Sequence, residues 1–449
     1  MTDRPRMKLR SADSPDSRSE GQPTRREFLR VSSALAGAAA LGSLSVARGA
    51  HAAGSDVLRV GLIGCGGRGT GAAVNALNAD PGARLVALAD AFEDRLRGSL
   101  QGLKNHGGER VAVDEDHLFV GFDAGRKLIE SDVDVVLLCE PPHFRPMHLK
   151  LAVERGKHIF CEKPVAVDAP GVRSVLESSE EAGKKGLSLV SGLCWRYHPE
   201  VRETMQRVLD GAIGEILAIQ VWYNTGTLWH RGRQPDWTEM QFQMRNWYYF
   251  TWLSGDHNVE QHIHSLDKAL WAMHDEPPLR AWGMGGRQVR TEPMWGNIYD
   301  HHAVVYEYPG ANVYSYTRQM ANCWNQTADL IIGTKGKAYL PSRCRIEGEN
   351  PWRYEGPGGN MYDIEHQELF RSIRAGEPIN NGLYMARSTM LAILGRMVTY
   401  TGQAIEWKQA IESQEDLSPK SYAWDAEPPI LPDKDGKYPV AMPGVTKFV

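Results

Sequence analysis

The chain reads as an α/β protein. An N-terminal doubly wound parallel sheet is followed by a C-terminal α+β domain with an open, mostly antiparallel sheet. Three observations predict this. Between Asp56 and Val167 short apolar runs alternate with helical stretches, and the runs are apolar throughout, as strands covered on both faces are. The run Val60-Gly61-Leu62-Ile63 leads straight into Gly64-Cys65-Gly66-Gly67-Arg68-Gly69 and a small-residue helix start. Past Gly214 the pattern lengthens into strands separated by turn signals such as Pro309-Gly310.

The divisions that follow are 1–53, a disordered segment and an export signal; 54–190, the parallel-sheet domain; 191–410, the α+β domain, whose last helices return to the first domain; and 411–449, an extended arm. Residues 1–23 are rich in Ser, Asp, Arg and Pro and cannot build a core. Thr24-Arg25-Arg26-Glu27-Phe28-Leu29-Arg30 comes next, then a weakly apolar run from Val31 to Val46, then Ala50-His51-Ala52. Those are the three parts of a twin-arginine signal, with cleavage expected near Ala52. The run is too short and too weakly apolar for a stable membrane span. The expected address is therefore periplasmic or otherwise exported, reached through the twin-arginine export machinery.

With 449 residues the chain has room for two domains and a large core. Hydrophobic content of 42% and charged content of 24% are those of a soluble globular protein. A net charge of −4, with no basic run beyond the N-terminus, argues against a nucleic-acid partner. Six cysteines in so long a chain do not form a disulfide framework. Cys65, Cys139 and Cys161 sit at expected strand ends, and pairing of Cys323 with Cys344 stays open. Trp is frequent at 13 residues, and many of these lie between 195 and 352. They serve either core packing or the stacking of sugar C–H faces.

In order, strands are expected at 57–63, 85–89, 134–139 and 158–160, with helices at 68–79, 92–105, 122–130 and 144–155. Gly64, Gly66 and Gly69 fit G-x-G-x-x-G between the first strand and the first helix. Gly64 permits a tight turn, Gly66 lets backbone approach a pyrophosphate, and Gly69 lets helix pack on strand. Gly67 and Arg68 complete the turn, whose helix start offers free N–H groups to phosphates. Asp90, closing the second strand about 20 residues on, suits the ribose hydroxyls of NAD and repels a 2′-phosphate. NAD is thus favoured over NADP, although Arg95 or Arg97 leaves NADP open. Outside the cytoplasm there is no NAD pool to exchange with, so the nucleotide is expected to be tightly bound and regenerated within the catalytic cycle.

After the strand at 158–160 comes Cys161-Glu162-Lys163-Pro164, at the open end of a parallel sheet, where ligands bind. Lys163 is either a functional cation or a loop lysine paired with Glu162. Further on lies Gly255-Asp256-His257-Asn258-Val259-Glu260-Gln261-His262-Ile263-His264-Ser265-Leu266-Asp267, expected as part of one helix over 256–272. Spacings of four and three put Glu260, His264 and Asp267 on one face, with His257 beside them.

These segments in this order resemble the glucose–fructose oxidoreductase, inositol dehydrogenase and rhizopine-catabolism proteins (Gfo/Idh/MocA), over residues 56–410. The resemblance implies a sugar, sugar-derivative or cyclitol substrate oxidised at a secondary hydroxyl. It implies that Glu162 and Lys163 lie by the nicotinamide, that Lys163 contacts the reacting hydroxyl, and that His264 is the acid/base. Glu260 stands where the family carries Asp, and orients the substrate hydroxyl or the histidine. Arg196 and Tyr197, in Trp195-Arg196-Tyr197-His198-Pro199, are placed by the substrate, and His257 and Asp267, on the helix face of Glu260 and His264, are further substrate candidates. Histidine suits the proton step because it titrates near neutrality. His257, Glu260, His264, His301 and His302 also invite a metal, but their spacing is not H-E-x-x-H and none is expected.

Two other functions stay open. One is a glycosidase or lyase that uses bound NAD in a cycle of oxidation, elimination and reduction. The other is a non-catalytic sugar-binding protein. In the second domain strands are expected at 215–222, 279–290, 302–308, 312–319 and 329–332, with a further hairpin through 335–340. The insert Leu228–Phe250, rich in Trp, Tyr and Arg, reads as a pocket rim. Helices are expected at 362–375 and 384–401. The aromatic residues of the open sheet make a homo-oligomer the expectation.

Overall fold

The computed structural model describes residues Asp56–Val449. The expected disordered segment and export signal fall outside the described residues. Six strands form the first sheet: β1 (Leu58–Ile63), β2 (Ala83–Asp90), β3 (Leu118–Val120), β4 (Val135–Leu138), β5 (His158–Cys161) and β6 (Leu189–Ser191). Their order is β3-β2-β1-β4-β5-β6, and every pairing is parallel. Strand β4 is buried at all its positions, as a continuous apolar run between two helical layers must be. The helices Gly67–Ala79, Glu93–Gly107, Ala124–Glu130 and Arg145–Glu154 fall within two residues of their expected limits.

Two helices, Ala169–Lys184 and Pro199–Leu209, add to those expected. Each has proline in its first turn, and the Asp168 carboxylate caps the first by accepting the Gly171 N–H at 2.8 Å. Strands β3 and β6 have three residues each, too few to show a period.

The second sheet has nine strands: β7 (Ile216–Thr225), β8 (Arg280–Gly286), β9 (His301–Tyr308), β10 (Ala311–Gln319), β11 (Gln326–Gly333), β12 (Gly336–Leu340), β13 (Arg345–Gly348), β14 (Trp352–Arg353) and β15 (Ile405–Glu406). Only β7 and β10 pair in parallel. The strand expected at 279–290 stops at Gly286. Beyond it the N–H groups of Gln288, Val289 and Arg290 turn onto the Asp300 carboxylate instead of a neighbouring strand. Helices Ile263–Ala272 and Gly382–Thr401 cover one face. On the other, Met284 is 75% exposed beside Trp282 and Tyr316.

The expected single helix over 256–272 is broken. Thr251–Ser254 ends at Gly255 in the left-handed region, Asp256 has φ +86°, and a one-turn helix His257–Glu260 precedes Ile263–Ala272. At the break the His262 N–H donates to the His257 carbonyl, five residues back, which rotates everything C-terminal to it.

Helices Met361–Ala375 and Gly382–Thr401 return to the first sheet. Asn75 donates to Asp363 at 2.7 Å, and the Leu189 N–H donates to the Ile379 carbonyl at 2.7 Å. Beyond Glu412 the chain has no helix or strand and lies against its own insert, where Thr238 donates to the Trp424 carbonyl and Gln243 to that of Ile430, both at 2.6 Å. All six cysteines are unpaired; Cys323 is exposed and Cys344 buried, so these two do not bridge. Among the described residues no helix is long and apolar enough to cross a membrane.

Candidate active site

One cleft of about 570 Å³ runs from the C-terminal edge of the parallel sheet to the insert and the broken helix. Gly64, Gly66, Gly67, Arg68, Gly69, Asp90, Glu162, Lys163, Glu260 and His264 all line it. Its nucleotide end is shaped by backbone. Gly64 has φ +91°, and a Cβ there would stand 2.4 Å from the Glu140 nitrogen. A Cβ on Gly69 would meet the Gly64 carbonyl oxygen at 1.8 Å, so the helix start touches the turn only because residue 69 is glycine. At Gly66 and Gly67 a Cβ would meet nothing within 4 Å. The helix Gly67–Ala79 begins without a side-chain cap, leaving its first N–H groups for a phosphate. This cradle fits a dinucleotide.

Asp90 accepts the Cys65 N–H at 2.7 Å and the Phe92 N–H at 2.9 Å, which aim its carboxylate. Burial raises its pKa, against those two hydrogen bonds. Arg95 lines the same end. Arg68 reaches back across the sheet to Glu162 at 2.6 Å and lies 3.7 Å from Glu365, over the Tyr362 ring. Burial works against its charge, but the two carboxylates prevail and hold it cationic. Glu365 is fully buried, and burial followed by the nearby Glu162 pushes its carboxyl well above the usual range.

At the other end Lys163, presented by the loop after β5, donates to the Glu260 carboxylate at 3.0 Å and to the Glu260 carbonyl at 2.5 Å. Both side chains are nearly closed off from solvent. Lys163 is thus paired across the cleft with Glu260, and it is Arg68 that pairs with Glu162. His264 stands on the first turn of Ile263–Ala272. Burial holds its imidazole well below the ordinary histidine range, and the Lys163 and Lys268 cations push the same way. It is therefore neutral at physiological pH and able to take a proton. Its Nδ1 has no hydrogen-bond partner among the described residues.

The four residues expected beside the substrate are not in the cleft lining. Arg196 is clamped by Asp267, at 2.9 and 3.1 Å, and by Asp275. Tyr197 donates to Asn381 at 2.6 Å. His257 is fully buried against Asp256 at 2.7 Å and 4.9 Å from the His302 ring. The physical reason is that each finds its partner in the core: Asp267 faces Arg196, Tyr197 faces Asn381, and His257 turns onto Asp256 and His302. Asp256, His257 and His302 place ligand-type atoms within 4.8 Å of one another. The Asp256 carboxylate there already accepts the Tyr299 N–H at 2.9 Å and the Tyr400 hydroxyl at 2.5 Å.

The insert supplies the remaining wall. Trp229 and Trp247 line the cleft with ring centroids 6.2 Å apart, and Arg231 lies 5.6 Å from the Trp229 ring. Nearer the nucleotide end Arg245 joins the insert to the parallel-sheet domain through two 2.7 Å contacts with Asp94, and its guanidinium stacks on Phe92. Trp424 of the C-terminal arm backs Phe92 and Phe122 at 4.9 and 4.5 Å. Neither Arg245–Asp94 nor Trp424 had a spacing signal in the sequence. The density of aromatic residues was the only hint.

Residues 58–189 match the GFO_IDH_MocA family, described as an oxidoreductase family with an NAD-binding Rossmann fold. An inositol 2-dehydrogenase of Rubrobacter xylanophilus is 27% identical over 293 residues, 64% of this chain and 72% of that protein. A 2,7-anhydro-N-acetylneuraminate hydratase of Escherichia coli is 26% identical over 205 residues, 45% of this chain and 50% of that protein. Among solved structures, an aldose-aldose oxidoreductase from Caulobacter crescentus complexed with glycerol superposes with a TM-score of 0.61 at 20% identity, covering 78% of this chain and 99% of its own. That likeness establishes the fold. Residues 58–189 thus carry a match to the Gfo/Idh/MocA oxidoreductase family, and the chain is an NAD(P)-dependent oxidoreductase.

Proposed function

We propose that the cleft oxidises a secondary hydroxyl of a sugar, sugar derivative or cyclitol, with His264 as acid/base. The observation that carries this reading is the convergence of Lys163, Glu260 and His264 on the cleft that holds the glycine turn. NAD bound on Gly64, Gly66, Gly69 and Asp90 supplies the hydride acceptor. The neutral His264 ring takes the hydroxyl proton, and Lys163 stabilises the oxygen as negative charge develops on it. Glu260 holds the Lys163 ammonium in place and orients it across the cleft. Trp229 and Trp247 present flat apolar faces to the C–H face of a ring.

The proposal extends to the protein's setting. The twin-arginine signal at 24–52 directs export, with cleavage near Ala52, and the exported protein carries its nucleotide tightly bound. The exposed face of the second sheet, with Trp282, Met284 and Tyr316, is covered by a second copy of the chain. N-terminal sequencing and sedimentation of the mature protein check these points. A start far from Ala52, or a monomer at micromolar concentration, contradicts them.

The alternative is bond cleavage or hydration with no net redox change, and the hydratase relative is the observation that favours it. The first experiment is to denature the purified mature protein and identify any released nucleotide by mass, then to analyse products without added cofactor. A keto product formed with stoichiometric reduced nicotinamide supports the dehydrogenase. A cleaved or hydrated product with no net reduction supports the alternative. Sugar bound without product, in either format, leaves a binding protein.

A further inference from the structure

Behind His264 lies a cation that the chemistry above does not use. Lys268 is one turn further along Ile263–Ala272, and its side chain is 1% exposed. Its Nζ donates to the main-chain carbonyl of His264 at 2.6 Å, pairs with Asp329 of β11 at 3.0 Å, and sits 5.2 Å from the Trp195 ring centroid. Leu266, Ala269 and Leu270 around it are ordinary buried apolar positions. A buried ion pair is costly to form and is often replaceable by apolar side chains without loss of stability. Packing alone therefore gives no reason for a lysine here.

We propose that Lys268 and Asp329 are positioning residues for His264: the ammonium, anchored to the sheet by Asp329, pins the helix turn that carries the imidazole and so sets where the ring stands in the cleft. The inference rests on the reading of His264 as acid/base. Lys268 also adds its charge to that of Lys163 in keeping the ring neutral. The other charged groups around this wall are Arg68 from the glycine turn, Glu162 beside Lys163, Glu260 from the one-turn helix, and Glu365 beneath Arg68. His262 points away, toward Ser315 at 2.7 Å.

The test is histidine-selective NMR on the full chain, with His264 assigned through His264→Asn. Lys268→Met removes the cation and its hydrogen bond, Asp329→Asn leaves the cation unbalanced, and Lys268→Arg keeps the charge. The account expects the His264 ring signals to move and their titration midpoint to rise in Lys268→Met. It expects the midpoint to fall in Asp329→Asn and to return toward wild type in Lys268→Arg. His366, buried elsewhere, keeps its signals in all three. Unchanged His264 signals and midpoint in a folded Lys268→Met overturn the proposal. If that variant fails to fold, a wild-type His264 midpoint in Asp329→Asn overturns it equally. Because this readout needs no substrate, it stands apart from the functional reading. With a substrate in hand, kcat in Lys268→Met falls about tenfold to a hundredfold while KM holds.

Discussion

The two ends of the cleft are held in different ways. At the nucleotide end the shape is made by backbone: a glycine turn with no room for a Cβ at Gly64 or Gly69, an uncapped helix start, and a carboxylate aimed by two main-chain N–H groups. At the catalytic end the shape is made by side chains brought together from afar. Lys163 and Glu260 are 97 residues apart, and His264 depends on a helix break and on neighbours from two sheets. The first kind of site tolerates little change at its glycines. The second can lose its chemistry while the binding surface survives.

The largest expected effect separates the two ends. His264→Ala and Lys163→Ala each lower turnover by about 10²–10⁴-fold while leaving nucleotide content near wild type, measured by mass after denaturation. Loss of nucleotide in both variants would mean that the ends are not separable. Next come the glycines. Gly64→Ala forces a side chain into φ +91° and against the Glu140 backbone. A strain of about 1–3 kcal/mol follows, read as roughly 5- to 150-fold weaker nucleotide retention, with the catalytic side chains untouched.

A third effect is pH-dependent and belongs to the side-chain end. Burial drives His257 down to about 4, and holds His262 and His264 well below the ordinary range. Unfolded histidines titrate near ~6.5, so between those values the unfolded chain binds more protons than the folded one. Stability is full above that pH and declines as pH falls below it. Melting temperatures taken from about pH 7.5 down to about pH 5 should therefore drop, and His264→Asn should flatten part of the slope. The smallest effect concerns the strap over the nucleotide end. Trp424→Ala removes aromatic contacts worth about 0.5–1.5 kcal/mol, and nucleotide release measured by dilution should quicken about two- to tenfold. No change would mean that the arm does not brace Phe92 and Phe122.

This contrast also sets what was legible in the sequence. The parallel sheet, its first four helices and the glycine turn follow from local rules: apolar runs, glycine spacing and a carboxylate closing a strand. Glu162, Lys163, Glu260 and His264 were found through motif resemblance, and the structure brings all four to the cleft. The partners were not legible. Arg68, expected at the phosphates, is drawn back by Glu162 and Glu365, and Glu365 lies 297 residues beyond Arg68 in numbering, on a helix with no motif of its own. Arg196, through the resemblance, and Asp267, through its helix face, are expected at the substrate, whereas here the two satisfy each other in the core. His257 is expected beside Glu260 and His264 from helical spacing, whereas its ring lies against Asp256 and against His302 of β9, a partner that spacing along one helix does not show.

The most direct test of the central claim is to mix purified protein and NAD with a panel of sugars and cyclitols and follow reduced nicotinamide by its absorbance, in wild type and in His264→Ala matched for nucleotide content. The account predicts hydride transfer from at least one secondary hydroxyl in wild type and its near-complete loss in the variant. Equal transfer in both proteins would contradict it.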